Sequence, residues 1–137
     1  MNLYLDASAL VAVLVHEPQW DVLAALLGDA ANVNGSRLTY IETRAALAAR
    51  GRASRRHRRQ LTQARDDLER RWERVSIVEL DELVREVASL ATEQHRLRGA
   101  DAVHLASAAV LGSEVTMVTR DASLRRASLA AGLDVAY

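Results

Sequence analysis

Cysteine is missing from this chain of 137 residues, and so is lysine, all 18 basic side chains being arginine. Without thiols there is no cysteine nucleophile and no Cys-ligated zinc, and no disulfide holds the fold, a composition that fits the reducing cytoplasm. Without lysine there is no P-loop, no Schiff-base chemistry and no lysine-assisted aspartyl-phosphate site. No apolar run approaches the roughly 18 residues that a membrane span needs. The N-terminus lacks the basic region, apolar segment and small-residue cleavage site of a secretory signal, so neither membrane insertion nor export is expected. What is present is 50% hydrophobic and 26% charged, the balance of a soluble globular protein. A chain of this length fits one domain over 1–137, burying about 70% of the surface that its unfolded form exposes.

The formal net charge of zero hides a division. Between Arg50 and Arg74 ten arginines stand against four acids, a local surplus of six positive charges that the rest of the chain offsets. Short β runs alternate with longer helical ones, the pattern of a parallel sheet with helices on its faces. The expected strands are Asn2 to Leu5, Ala31 to Asn34, Val75 to Glu79, Val115 to Thr119 and Asp134 to Ala136. Helical spacing joins Trp20, Leu23 and Leu27; Leu61, Ala64, Leu68 and Trp72; and Leu83, Val84, Val87, Leu90 and Ala91, stripes that read as core or partner-facing surface. Turn signals fall at Asn34 and Gly35, Gly99, Gly112 and Gly132.

In an open parallel sheet, ligands bind beyond the carboxyl ends of the strands, near a reversal in strand order. Asp6 follows the first strand, and Asp121 follows the run EVTMVT. Glu42 and Asp101 open two further helices, so a doubly wound sheet lets all four acids face one cleft. Two like charges about 4 Å apart repel by roughly 4 kcal/mol at an effective dielectric of 20. The basic residues nearby in sequence are Arg37, Arg44, Arg98 and Arg120. A ring of carboxylate oxygens is otherwise satisfied by a hard divalent cation, Mg²⁺ or Mn²⁺. Each acid also has a plain structural reading. Asp6 and Asp121 suit helix N-caps, Thr39 and Glu42 match a capping box, and Asp101 suits the positive end of a helix dipole. The metal reading gains from the fact that caps accept Ser, Thr and Asn equally, whereas all four positions are acidic.

The blocks YLDASAL, TYIETRAALAAR, RGADAVHLASAAVL and MVTRDASLRRASLAAGLDVAY resemble, in order and spacing, the four acidic blocks of PIN-domain ribonucleases of the VapC-like toxin branch. The resemblance runs from Asn2 to the C-terminus and is thinnest from Gly51 to Glu73. It implies a PIN-like α/β fold, a central parallel sheet of about five short strands flanked by helices on both faces. It implies that Asp6, Glu42, Asp101 and Asp121 hold Mg²⁺ or Mn²⁺ for hydrolysis of an RNA phosphodiester, with Ser8 and Thr119 as hydrogen-bonding partners behind the ligands. It further implies a homodimer silenced by a cognate VapB-like antitoxin. His104, one helical turn after Asp101, reads as a histidine packed near the sheet rather than a general base, and His16, His57 and His95 as surface residues. Glu79, Asp81, Glu82 and Glu86 read as a solvated face with an Asp81 cap. The Arg50 to Arg74 segment suits RNA phosphates, an antitoxin or plain solvation.

Two rivals stand beside the ribonuclease. One is a PIN-fold binding or scaffold module whose acids are only caps. The other, a glycosidase with paired carboxylates, fits poorly with the chain's size, two Trp and three Tyr.

Overall fold

A computed structural model describes Met1–Tyr137. In chain order the elements are β1 (Asn2–Leu5), α1 (Ala7–Leu14), α2 (Trp20–Asp29), β2 (Asn32–Ser36), α3 (Arg37–Ala53), α4 (Arg55–Trp72), β3 (Val75–Val78), α5 (Glu82–Gln94), α6 (Gly99–Ala109), β4 (Val115–Val118), α7 (Ala122–Ala130) and β5 (Asp134–Ala136). The five strands form one sheet in the order β3-β2-β1-β4-β5, and every pairing is parallel. The chain first builds outward from β1 to β3 and then returns to lay β4 on the other side of β1. The reversal falls between β1 and β4, where Leu5 pairs with Val118.

The two-residue alternation of a strand decides which helices cover which face. Leu3 and Leu5 point into a core shared with α1 to α4, through Leu10, Val13, Leu23, Leu47, Ala64 and Leu68. Tyr4 points the other way, into a core shared with α5 to α7, through Val84, Ala88, Leu105, Ala106 and Leu124. Burial of a side chain such as Leu68, fully excluded from solvent, stabilises the fold by about 1.5–3 kcal/mol. The stripe on α5 divides: Val84 and Ala91 are buried, while Leu83 and Leu90 remain exposed. No helix is long and apolar enough to cross a membrane.

Three local expectations are corrected. Asn34 and Gly35 lie inside β2 rather than in a turn. Asn34 is buried and donates from Nδ2 to the Leu3 carbonyl and to Asn2 Oδ1, at 2.9 and 2.7 Å. Gly35 is a close approach, since a Cβ there would meet Val75 at 3.2 Å and Trp72 at 3.6 Å. Gly99 is the first residue of α6, not a turn. The third concerns the helix after β2. Thr39 and Glu42 form no capping box, because Ser36 is the N-cap of α3 and Thr39 its reciprocal partner. Glu42 is thereby left free of the cap. Turns at Gly112 and Gly132 are present, both with positive φ.

Candidate active site

Asp6 is the first residue beyond β1 and is 4% exposed. Its Oδ1 caps α1 by accepting from the Ala9 N–H at 3.0 Å. Ser8 Oγ donates to the same carboxylate, 2.8 Å from Oδ1 and 2.9 Å from Oδ2. Thr119, completely buried at the end of β4, donates from Oγ1 to Oδ2 at 2.8 Å. These hydroxyls are themselves aimed by backbone: the Arg120 N–H donates to Ser8 Oγ at 2.8 Å, and the Asp121 N–H to Thr119 Oγ1 at 3.0 Å. Each hydroxyl that accepts from an amide turns its own proton to the carboxylate, and such chains strengthen each bond along them. The loop between β4 and α7 therefore fixes the orientation of an acid more than 110 residues earlier.

Even so, burial pushes the Asp6 carboxyl above the ordinary carboxylate range, and the donors Ala9, Thr119 and Ser8 pull it back only in part. Asp121 caps α7, Oδ1 accepting from the Leu124 N–H at 2.8 Å. Glu42 lies in the second turn of α3 with a third of its side chain exposed. Its Oε2 stands 2.9 Å from Nε2 of His104. Asp101 stands in the first turn of α6 and caps nothing, the N-cap position being Arg98.

The acids share one electrostatic neighbourhood. The Asp101 carboxyl is raised first by burial and next by the charge of Asp121; His104 opposes this, Glu42 adds to it and Arg98 opposes it. Both Asp6 and Glu42 also act on the phenol of Tyr4, which burial pushes well above its usual range. Three of the four arginines expected nearby are engaged elsewhere. Arg37 pairs with Glu79 at 2.6 Å, Arg44 with Tyr40 and Glu69, and Arg120 with the Pro18 carbonyl and Glu17. The cluster keeps an excess of negative charge on oxygen donors, a donor set whose chemistry fits a hard divalent cation. In this conformation no three Asp, Glu or His side chains stand close enough to form a metal-holding group.

The basic segment lies apart from this rim. α4 packs on α1 and α3 through Ala64 and Leu68, and its Arg71 pairs with Asp67 at 2.9 Å. A hollow of about 540 Å³ between the end of α1 and the side of α4 is lined by Leu14, Val15, Gln63 and Asp67 among others, and none of the four acids faces it. The predicted Asp81 cap is present, accepting from the Val84 N–H.

Sequence reasoning placed His104 near the sheet without seeing its contacts. The residue is 2% exposed and is bonded at both ring nitrogens, to Tyr4 and to Glu42. A signal was available: a histidine inside the apolar run AVHLASAAV has to find polar partners when buried.

A PIN domain family model matches residues 3–129. Ribonuclease VapC49 of Mycobacterium tuberculosis (strain ATCC 25618 / H37Rv) is 40% identical over 134 residues, spanning 97% of this chain and 93% of its own. The crystal structure of PAE2754 from Pyrobaculum aerophilum superposes with a TM-score of 0.73 at 22% identity, over 98% of this chain and 89% of its own. VapBC2 from Rickettsia felis, solved bound to a DNA fragment from the promoter, gives 0.67 at 15% identity, over 99% and 98%.

Proposed function

The chain belongs to the PIN-domain family, in its VapC ribonuclease branch, and from that premise we propose that it is a metal-dependent endoribonuclease toxin held silent by a cognate antitoxin. Its substrate is RNA, and its site is the rim formed by Asp6, Glu42, Asp101 and Asp121. The observation that carries this reading is that β1, α3, α6 and the β4–α7 loop each bring a carboxylate to the rim, where Asp101 feels the charges of Asp121 and Glu42 and most nearby arginines are turned away. Those four side chains would hold Mg²⁺ or Mn²⁺, which would lower the pKa of a water and stabilise charge on the attacked phosphate.

The chain's own residues do the positioning. Ser8 and Thr119 donate to Asp6, which points its carboxylate and favours the ionised form, against a burial that favours the neutral acid. Asp121 spends one oxygen on the cap of α7 and keeps the other for the rim. The arginines of α4, mostly exposed, suit non-specific contact with phosphates along the RNA. The partly apolar hollow beside α4 suits an antitoxin segment, and exposed Leu83 and Leu90 on α5 suit self-association into a homodimer.

Cleavage of total RNA in Mn²⁺ or Mg²⁺, with and without chelator, tests the reading. Discrete cuts that vanish with chelator, and growth arrest on expression that the product of the adjacent reading frame reverses, are expected. Full activity of Asp101→Asn would remove the site assignment. A catalytically silent scaffold draws support from the fact that Asp6 and Asp121 are genuine helix caps. It predicts that Mn²⁺ leaves the melting temperature unchanged, whereas a filled acidic site raises it.

A further inference from the structure

Beneath the acids, three polar side chains are joined end to end. Tyr4 Oη lies 3.0 Å from His104 Nδ1, and His104 Nε2 lies 2.9 Å from Glu42 Oε2. The phenol is fully buried and the imidazole nearly so. An ionised carboxylate only accepts, so Nε2 carries the proton and donates to Glu42. The neutral ring then accepts at Nδ1, and the Tyr4 O–H is the donor. This arrangement leaves none of the three without a partner, and a buried polar group left unmet is destabilising.

The placement of the three residues matters as much as the bonds. Tyr4 and Asp6 are two apart along the end of β1, so the strand directs them to the same side. His104 follows Asp101 by three residues, one turn along the same face of α6. One imidazole thus ties together the strand that delivers Asp6 and the helices that deliver Asp101 and Glu42. Glu42 has no other anchor, since Ser36 and Thr39 close the capping box without it. A free glutamate side chain loses rotamer entropy when fixed, and a partner that holds it beforehand removes that cost from metal binding.

We propose that His104, set in its Nε2–H tautomer by Tyr4, is a positioning residue that holds Glu42 in the orientation the acidic rim needs to bind its divalent cation. This rests on the metal-dependent reading given above. A histidine that merely fills the core is the competing account, and it predicts that a leucine of similar bulk leaves metal affinity alone.

Mn²⁺ titration of the metal-free protein, followed by the EPR signal of the free ion, decides between them, with melting temperature and RNA cleavage measured in parallel. His104→Leu weakens Mn²⁺ binding by about 10–100-fold, as loss of the partner behind a ligand does. His104→Gln keeps an N–H that can reach Glu42 and recovers most of that loss, while Tyr4→Phe weakens binding by about 3–10-fold. Affinity that tracks the hydrogen bond rather than the melting temperature is the expected result. Wild-type affinity in both His104→Leu and Tyr4→Phe overturns the positioning role and leaves the ribonuclease reading standing. Absence of Mn²⁺ binding by the wild-type protein removes the metal reading, and this role with it. Should His104→Leu fail to fold, Tyr4→Phe decides alone: wild-type affinity overturns the role, and weakened affinity supports it.

Discussion

Asp6 and Asp121, at the ends of β1 and β4, take their orientation from backbone amides and from hydroxyls that amides have aimed. Glu42 and Asp101, on α3 and α6, take none from the backbone; one leans on a buried imidazole and the other is free. The first pair caps its own helices, the local chemistry of a strand end running into a helix, and for Asp6 the β4–α7 loop adds a second, distant hold. In the second, Glu42 alone is held, by a contact between elements far apart in the chain. An acid that is also a cap serves stability whatever chemistry it does, so a substitution can separate the cap from the proposed role; an acid that caps nothing has no cap to lose.

The largest expected effect comes from neutralising one acid in each half. Asp6→Asn and Asp101→Asn each reduce RNA cleavage by about 10²-fold or more, measured on a defined RNA in Mn²⁺, since a ligand matters at least as much as the groups behind it. The halves then part on stability. Asn serves as an N-cap as well as Asp does, whereas Asp6→Ala also loses about 1 kcal/mol with the cap. Urea unfolding in chelator should therefore rank Asp6→Ala below Asp6→Asn, with no such gap between Asp101→Ala and Asp101→Asn beyond helix propensity.

Next in size is Thr119→Val. It deprives Asp6 of a donor and the Asp121 N–H of its acceptor, in a place fully closed to solvent. A cost of about 1–3 kcal/mol in unfolding free energy is expected, with a fall in cleavage of about 10–100-fold. Unchanged stability would mean that the hydroxyl is not the hinge between β4 and Asp6.

The pH dependence of the metal-free protein joins the halves again. Both Asp6 and Asp101 have folded pKa values raised above 3.8, burial being the chief cause. An acid raised in this way favours the folded state when protonated, so its contribution is full below the unfolded value and is lost as pH rises through the folded one. The double variant Asp6→Asn/Asp101→Asn should thus melt above the wild type at pH 7 in chelator, and the gap should close toward about pH 4. A gap that widens on acidification would reverse the sign assigned here. The smallest effect is a control outside both halves: Glu79→Gln severs an exposed pair with Arg37 and should leave melting temperature and cleavage unchanged, as isolated surface pairs do.

The same contrast explains what was legible in the sequence. β1 and β5 appear with the bounds that their composition suggests, and the helical stripes through Leu23, Leu68 and Val84 do face the core. Asp6 and Asp121 each follow an apolar β run and precede small helix-forming residues, so their place at strand ends and their capping were readable locally. At Gly35 and His104 distant partners decide what the local pattern leaves open, whereas at Thr39 the helix start moves by a few residues. Gly35 looks like a turn residue until Val75 and Trp72 are packed against it. Thr39 looks like an N-cap until the helix begins earlier, at Arg37. The bonds of His104 reach back 62 and 100 residues, and no pattern along the chain announces their geometry.

The strand order has a consequence in time. Because β4 lies beside β1, the donor that steadies Asp6 is supplied 113 residues downstream, and Asp121 later still. A polypeptide that stops short of β4 lacks both Thr119 and Asp121, and with them a donor to Asp6 and the cap of α7. On the proposed reading the rim is complete only once the last crossover has been made, when synthesis is nearly finished.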